Sequence, residues 1–157
     1  NRFNNTWHHG DFAEIKKTRG FIIHGRSDTT LNPGGVRLGT AEIYSEVEKF
    51  KEIKESIVVG QSWDNDVRIV LFIVMNTKFL LTEDLLKKIK IQIRKNASPR
   101  HVPNKVIVVK DIPRTKSGKI VELAVKNIIE GNNIKNKEAL ANPKTLEQFK
   151  NLKELRS

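Results

Sequence analysis

The chain has 157 residues and a formal charge of +11 at neutral pH, long enough for one ordinary domain with its own core. No apolar run reaches about 18 residues and no charged-then-apolar leader opens the chain, so the expectation is a cytoplasmic protein that spans no membrane. Cysteine is absent, which excludes disulfides, thiol nucleophiles and thiolate metal sites.

The positive charge points to an anionic partner. Nucleic acid is one reading. The lysines are scattered, however, and lack the regularly spaced aromatics of a stacking platform, so nucleic acid is not expected. A phosphate-rich small molecule is an equally physical target.

Residues 1–6 hold no pattern. Trp7-His8-His9-Gly10-Asp11 then presents a carboxylate after a glycine turn, which on its own reads as an ordinary turn aspartate. His8 and His9 do not form a metal site, because adjacent side chains diverge and no further ligand stands at a suitable spacing. Phe12 to Ile15 and Phe21 to His24 read as strands around the turn Lys17-Thr18-Arg19-Gly20. A lone hairpin is marginal in water and is expected to lean on other protein.

The stretch Gly25 to Tyr44, GRSDTTLNPGGVRLGTAEIY, organises the rest. A Gly-Arg-x-Asp turn is followed by the bend Pro33-Gly34-Gly35 and by Arg37, which reads as buried. Thr40 reads as the N-cap of a helix with Ile43, Val47 and Phe50 on one face. Two tight turns with charges between them describe a joint. Arg26 pairing with Asp28, and glycines serving only the turn, are the plain alternatives.

Ser56 to Gly60 and Val67 to Met75 follow as strands, joined near Asp64-Asn65-Asp66. The run IVLFIVM suits a central strand covered on both faces. Thr82 caps a helix that carries Leu85, Leu86, Ile89 and Ile93 on one side and ends at Asn96 and Pro99. Lys105 to Val109 is a further strand. Leu123 to Ile129 makes another helical face stopped by Gly131, and Leu146 to Leu155 reads as a last helix. The pattern predicts an α+β fold, a small mixed or antiparallel sheet with helices packed on it.

Between the last strand and the following helix lies Ile112-Pro113-Arg114-Thr115-Lys116-Ser117-Gly118-Lys119. It is not a nucleotide P-loop, which needs glycine at position 113 and Ser or Thr at 120, where Pro113 and Ile120 stand. By itself Lys119 reads as a solvated loop lysine, with Gly118 lending flexibility beside it.

These stretches together resemble the acyl-adenylate-forming (AMP-binding) enzymes, from Trp7 to about Phe149. The wording LNPGGVR and GTAEIY, and NIIEG followed by ALANPKTLEQF, is nearest to the branch that activates acetoacetate. His9 stands where most relatives have threonine, a departure that this branch shares. The acetyl- and propionyl-activating branches are the alternatives, and a stand-alone basic RNA- or protein-binding module is the reading from another class.

The resemblance implies that residues 1–27 are the edge of a large N-terminal domain, missing from this chain. Residues 28–157 would be the mobile C-terminal domain, with its hinge at Asp28. It implies ATP/AMP, coenzyme A and Mg²⁺ as cofactors, and acetoacetate and the N-terminal domain as partners. Asp11 and Arg26 would bind the ribose hydroxyls, and Arg37 the phosphate end of the nucleotide. Gly35 would line the pantetheine tunnel, and Arg94 would lie near the coenzyme A phosphates. Lys119 would be catalytic in adenylate formation. The fragment alone is expected to be inactive.

Overall fold

The computed structural model describes residues 11–26, 29–134 and 137–157. Two short strands come first, β1 (Asp11–Ile15) and β2 (Phe21–Arg26), paired antiparallel with Ile15 opposite Phe21. Arg19, at φ 62°, turns the hairpin, and the Lys16 N–H donates to the Gly20 carbonyl at 2.8 Å. Ile15 and Phe21 are exposed.

The main sheet holds β3 (Ile53–Trp63), β4 (Asp66–Met75) and β5 (Lys105–Val108), with β4 in the middle. β3 runs antiparallel to β4 and β5 parallel to it. Asp64 and Asn65 have φ of 48° and 58°, the two left-handed residues of a primed two-residue turn. Residue alternation sends Ile69, Leu71 and Ile73 to one face. There they meet Ile43 and Val47 of α1 (Ala41–Val47) and Leu85, Ile89 and Ile93 of α2 (Glu83–Asn96). Val70, Phe72 and Val74 go to the other face, against Val125 of α3 (Glu122–Ile129), Phe149 and Leu155. β4 is therefore covered on both sides, as its unbroken apolar run predicts. Each such fully buried side chain contributes about 1.5–3 kcal/mol.

Thr82 caps α2 as expected, its hydroxyl accepting from the Leu85 N–H at 3.2 Å. Thr40 does not cap α1. Its backbone is already helical, at φ −78° and ψ −22°, and its side chain makes no capping bond. Its carbonyl instead starts the helical ladder by accepting from Ile43 and Tyr44. Phe50 lies beyond the end of α1 and packs against the same core from the following turn. The tail is not one helix. It forms 3₁₀ turns at Pro143–Phe149 and Lys153–Leu155, separated by Asn151 at φ 54°.

Gly60 on β3 marks a close approach. A Cβ there would lie 2.7 Å from Val67 Cγ1 and 3.5 Å from Leu31 Cδ2. Gly60→Ala is expected to destabilise the chain by about 1–3 kcal/mol through overpacking. Urea unfolding of both proteins checks this, and an unchanged midpoint would contradict it.

Candidate active-site segments

Lys119 sits in a closed miniature hairpin. The Thr115 N–H donates to the Lys119 carbonyl at 2.8 Å, and the Gly118 N–H to the Thr115 carbonyl at 2.9 Å. The Thr115 hydroxyl accepts from the Lys119 N–H at 3.1 Å. Gly118 takes φ 83°, so glycine is there for the left-handed turn. The Arg114 guanidinium braces the turn, donating to the Gly118 carbonyl at 3.0 Å and pairing with Glu55 on β3 at 3.0 Å.

The tail straps this loop from outside. Lys116 N–H donates to the Ala139 carbonyl, and Ala141 N–H to the Arg114 carbonyl at 2.8 Å. The Asn142 side chain accepts from the Arg114 N–H at 2.9 Å and donates to the Ile112 carbonyl and to Asp111. Burial alone would raise the Asp111 carboxyl. Donors from Asn142, the Ile112 amide and Thr145 outweigh it and hold the group below its ordinary value. Lys119 itself is exposed, so a rigid base presents a cation to solvent.

Gly35 closes a second exposed bend. Gly34 and Gly35 take φ of 59° and 76°, and a Cβ at either would meet nothing within 4 Å. Backbone conformation, not packing, demands glycine here. Gly35 lines an open cleft with Ser62, Trp63 and Asp64 from the β3–β4 turn. Arg37 is exposed, not buried. Leu31 pairs with Leu38 across the bend, and Leu31 takes the buried place. Arg37 lines a separate cleft with Thr30, Glu42 and His101. Arg94 is exposed in the last turn of α2. Asp11 and Arg26 are Cα partners in the β1–β2 register. Asp28, His8 and His9 lie outside the described residues.

Of the candidate residues, Gly35, Arg37, Arg94 and Lys119 are exposed, with Gly35 and Arg37 in different clefts. Three structural residues escaped the sequence reading. Asp66 accepts from the Gly34 N–H. The Tyr44 hydroxyl donates to Glu122 at 2.5 Å and accepts from the Val58 N–H at 3.0 Å, tying α1 and α3 to the outer edge of β3. Burial first, then the Glu122 charge, pushes the Tyr44 phenol well above its usual range. Glu46 on α1 accepts from Lys49, Gln92 and Asn96, joining α1 to α2. All three are long-range polar pairings that no sequence period announces.

The Lys49 ammonium, then the Asn96 amide, holds the Glu46 carboxyl below its ordinary value of 4.5. A carboxylate depressed in the folded state stabilises above its unfolded pKa, and that contribution is lost as pH falls through the folded pKa. Glu46→Gln is therefore expected to flatten the fall in urea midpoint below pH 4.5. An acid limb as steep as that of the parent would contradict the assignment.

Among the described residues, no group of three His, Cys, Asp or Glu is placed to hold a metal, and no helix is long and apolar enough to cross a membrane.

Residues 42–119 match the AMP-binding enzyme C-terminal domain. The chain is 60% identical to an acetoacetyl-coenzyme A synthetase of Rhizobium meliloti (strain 1021), covering 99% of this chain and 24% of that protein. It is 46% identical to an acetoacetyl-CoA synthetase of Xenopus tropicalis, with the same two coverages. The structure superimposes on the acetoacetyl-CoA synthetase from Streptomyces lividans with a TM-score of 0.84 and 39% identity, over 96% of this chain and 23% of that one. The chain spans about a quarter of the length of the curated relatives it matches. The match over residues 42–119, the α+β fold around β4 and the agreement along nearly the whole chain have one common reading: the chain belongs to the family of the AMP-binding enzyme C-terminal domain.

Proposed function

We propose that this chain is the C-terminal part of a cytoplasmic acetoacetate–CoA ligase. The carrying observation is 60% identity to a relative of that name across 99% of the chain. In the first half-reaction an acetoacetate oxygen attacks the α-phosphorus of ATP. The bond to the β-phosphate bridging oxygen breaks, and pyrophosphate leaves. In the second, the coenzyme A sulfur attacks the acyl carbon, its proton passes to solvent, and AMP departs.

Two anions meet in the first step. The Lys119 ammonium offsets that repulsion as a compact point charge, and the strapped turn beneath it holds its backbone ready. Asp11 and Arg26, facing in the hairpin register, bind the ribose hydroxyls, and Arg37 the phosphate end. Gly35 lets the pantetheine arm pass close to its backbone. Its missing Cβ leaves open space and its φ of 76° favours glycine, so the position fits that use. Arg94 serves the coenzyme A phosphates. Mg²⁺ would supply charge neutralisation on the nucleotide, held largely by phosphate oxygens. Residues 1–27 belong to the edge of the N-terminal domain and residues 28–157 to the mobile domain, hinged at Asp28. The acyl pocket belongs to the N-terminal partner.

The test is acid-dependent exchange of pyrophosphate into ATP by the intact ligase, with acetoacetate, acetate and propionate compared. Exchange driven best by acetoacetate is expected. Exchange driven better by acetate or propionate would move the protein to another branch, and salt-sensitive RNA binding with no exchange would overturn the enzyme reading.

A further inference from the structure

The bend that presents Gly35 is built from residues with little to hold it at its tip. Pro33 has no N–H, and Gly34 and Gly35 have no side chains, so the segment combines one missing donor with two residues of maximal backbone freedom. Among the described residues, one bond closes the turn from within, from the Val36 N–H to the Pro33 carbonyl at 3.2 Å, and Leu31 and Leu38 exchange two main-chain bonds at its base, at 3.1 and 2.9 Å. A further grip, on the Gly34 amide itself, comes from 32 residues away. The Gly34 N–H points between both oxygens of the Asp66 carboxylate, at 2.8 and 3.0 Å.

Asp66 is itself well fixed. It pairs with Trp63 across the β3–β4 hairpin and directly follows the Asp64-Asn65 turn. The Val67 amide, then the Gly34 amide, holds its carboxyl below the ordinary value of 3.8, so the acceptor is ionised at neutral pH. The end of the most regular element in the fold thereby reaches over to the least constrained one.

We infer that Asp66 is a positioning residue for thioester formation: its carboxylate locks the Pro33-Gly34-Gly35 bend in the form that offers the Gly35 backbone to the pantetheine arm. The inference rests on the role proposed for Gly35 and goes beyond it by naming what sets that glycine's conformation. A charge-assisted bond to an amide is among the stronger hydrogen bonds, and it acts here on two residues that would otherwise sample several conformations. The carboxylate touches no substrate. Its effect is on where the Gly35 backbone stands when coenzyme A arrives.

Two readouts test this. In proton–nitrogen spectra of this chain, the Gly34 amide proton should lie downfield, move upfield in Asp66→Ala, and return part of the way in Asp66→Asn, which keeps one acceptor. In the intact ligase, Asp66→Ala should raise the KM for coenzyme A about tenfold, a misplacement-sized effect, with kcat at saturating coenzyme A changed by less than about twofold. Asp66→Asn should recover most of that KM. Gly35→Ala is the control. If Gly35→Ala raises the KM and Asp66→Ala does not, the positioning role is overturned and the role of Gly35 stands. If neither raises it, both fall. Equal losses in adenylate and thioester formation for Asp66→Ala would mean general damage to the domain and would also overturn the inference.

Discussion

Replacing Lys119 with alanine in the intact ligase is expected to slow acyl-adenylate formation by about 10²–10³-fold, the usual cost of removing one preorganised charge from a transition state. The expectation rests on how the residue is mounted. Its N–H and carbonyl are both bonded to Thr115, and the turn is braced by Arg114 against Glu55 on β3. Removing the side chain leaves that frame intact, so the loss should reflect the missing ammonium alone. Lys119→Arg should not restore the rate, since a planar guanidinium fork is no substitute for a compact point charge. Pyrophosphate release on mixing with ATP and acetoacetate measures the effect. A loss smaller than about tenfold would place the lysine outside the reaction.

The second large effect concerns stability. Phe149 is fully buried and meets Phe72 of β4 edge to face, with ring centroids 5.0 Å apart. Phe149→Ala is expected to cost about 3–5 kcal/mol, combining lost transfer energy with the cavity left behind. Phe149→Leu should cost much less, because most of the volume is kept. Urea unfolding of the chain by circular dichroism measures both. If alanine and leucine cost the same, the tail would not be part of the core. Arg68 points the same way. It is buried, stacks 3.8 Å over the Trp63 ring, and donates to the carbonyls of Leu155 and Ser157 at 2.6 Å each. Burial lowers its pKa, and its donors meet main-chain and Gln61 oxygens.

Local pattern carried much of the fold. The unbroken apolar run of β4 announced a strand covered twice, and Thr82 with the Leu85-Ile89-Ile93 spacing announced α2. The tail misled because Leu146, Phe149, Leu152 and Leu155 recur every three residues, which on a short segment passes for a helical stripe. Three residues per turn is the 3₁₀ period, and that is what Pro143–Phe149 and Lys153–Leu155 adopt. Arg37 misled because it stands beside Leu38 in an apolar-looking stretch, whereas the Leu31–Leu38 bridge leaves it outside.

The candidate residues were legible as motifs, since Gly, Arg, Asp and Lys at fixed spacing carry the resemblance. What holds them was not. The Asn142 staple on the Lys119 loop spans 28 to 31 residues, and the Asp66 bond to Gly34 spans 32. Such pairings follow from how β3, β4 and the tail come together, and nothing local encodes them.

On the proposed function, the Lys119 ammonium acts where two anions meet in adenylate formation, and the attack of coenzyme A on the finished adenylate should not need it. The most direct measurement supplies pre-made acetoacetyl-adenylate and coenzyme A to the Lys119→Ala ligase and follows thioester appearance. The account predicts a rate within about twofold of the parent enzyme while adenylate synthesis has collapsed. A thioester rate that falls as far as adenylate synthesis would contradict it.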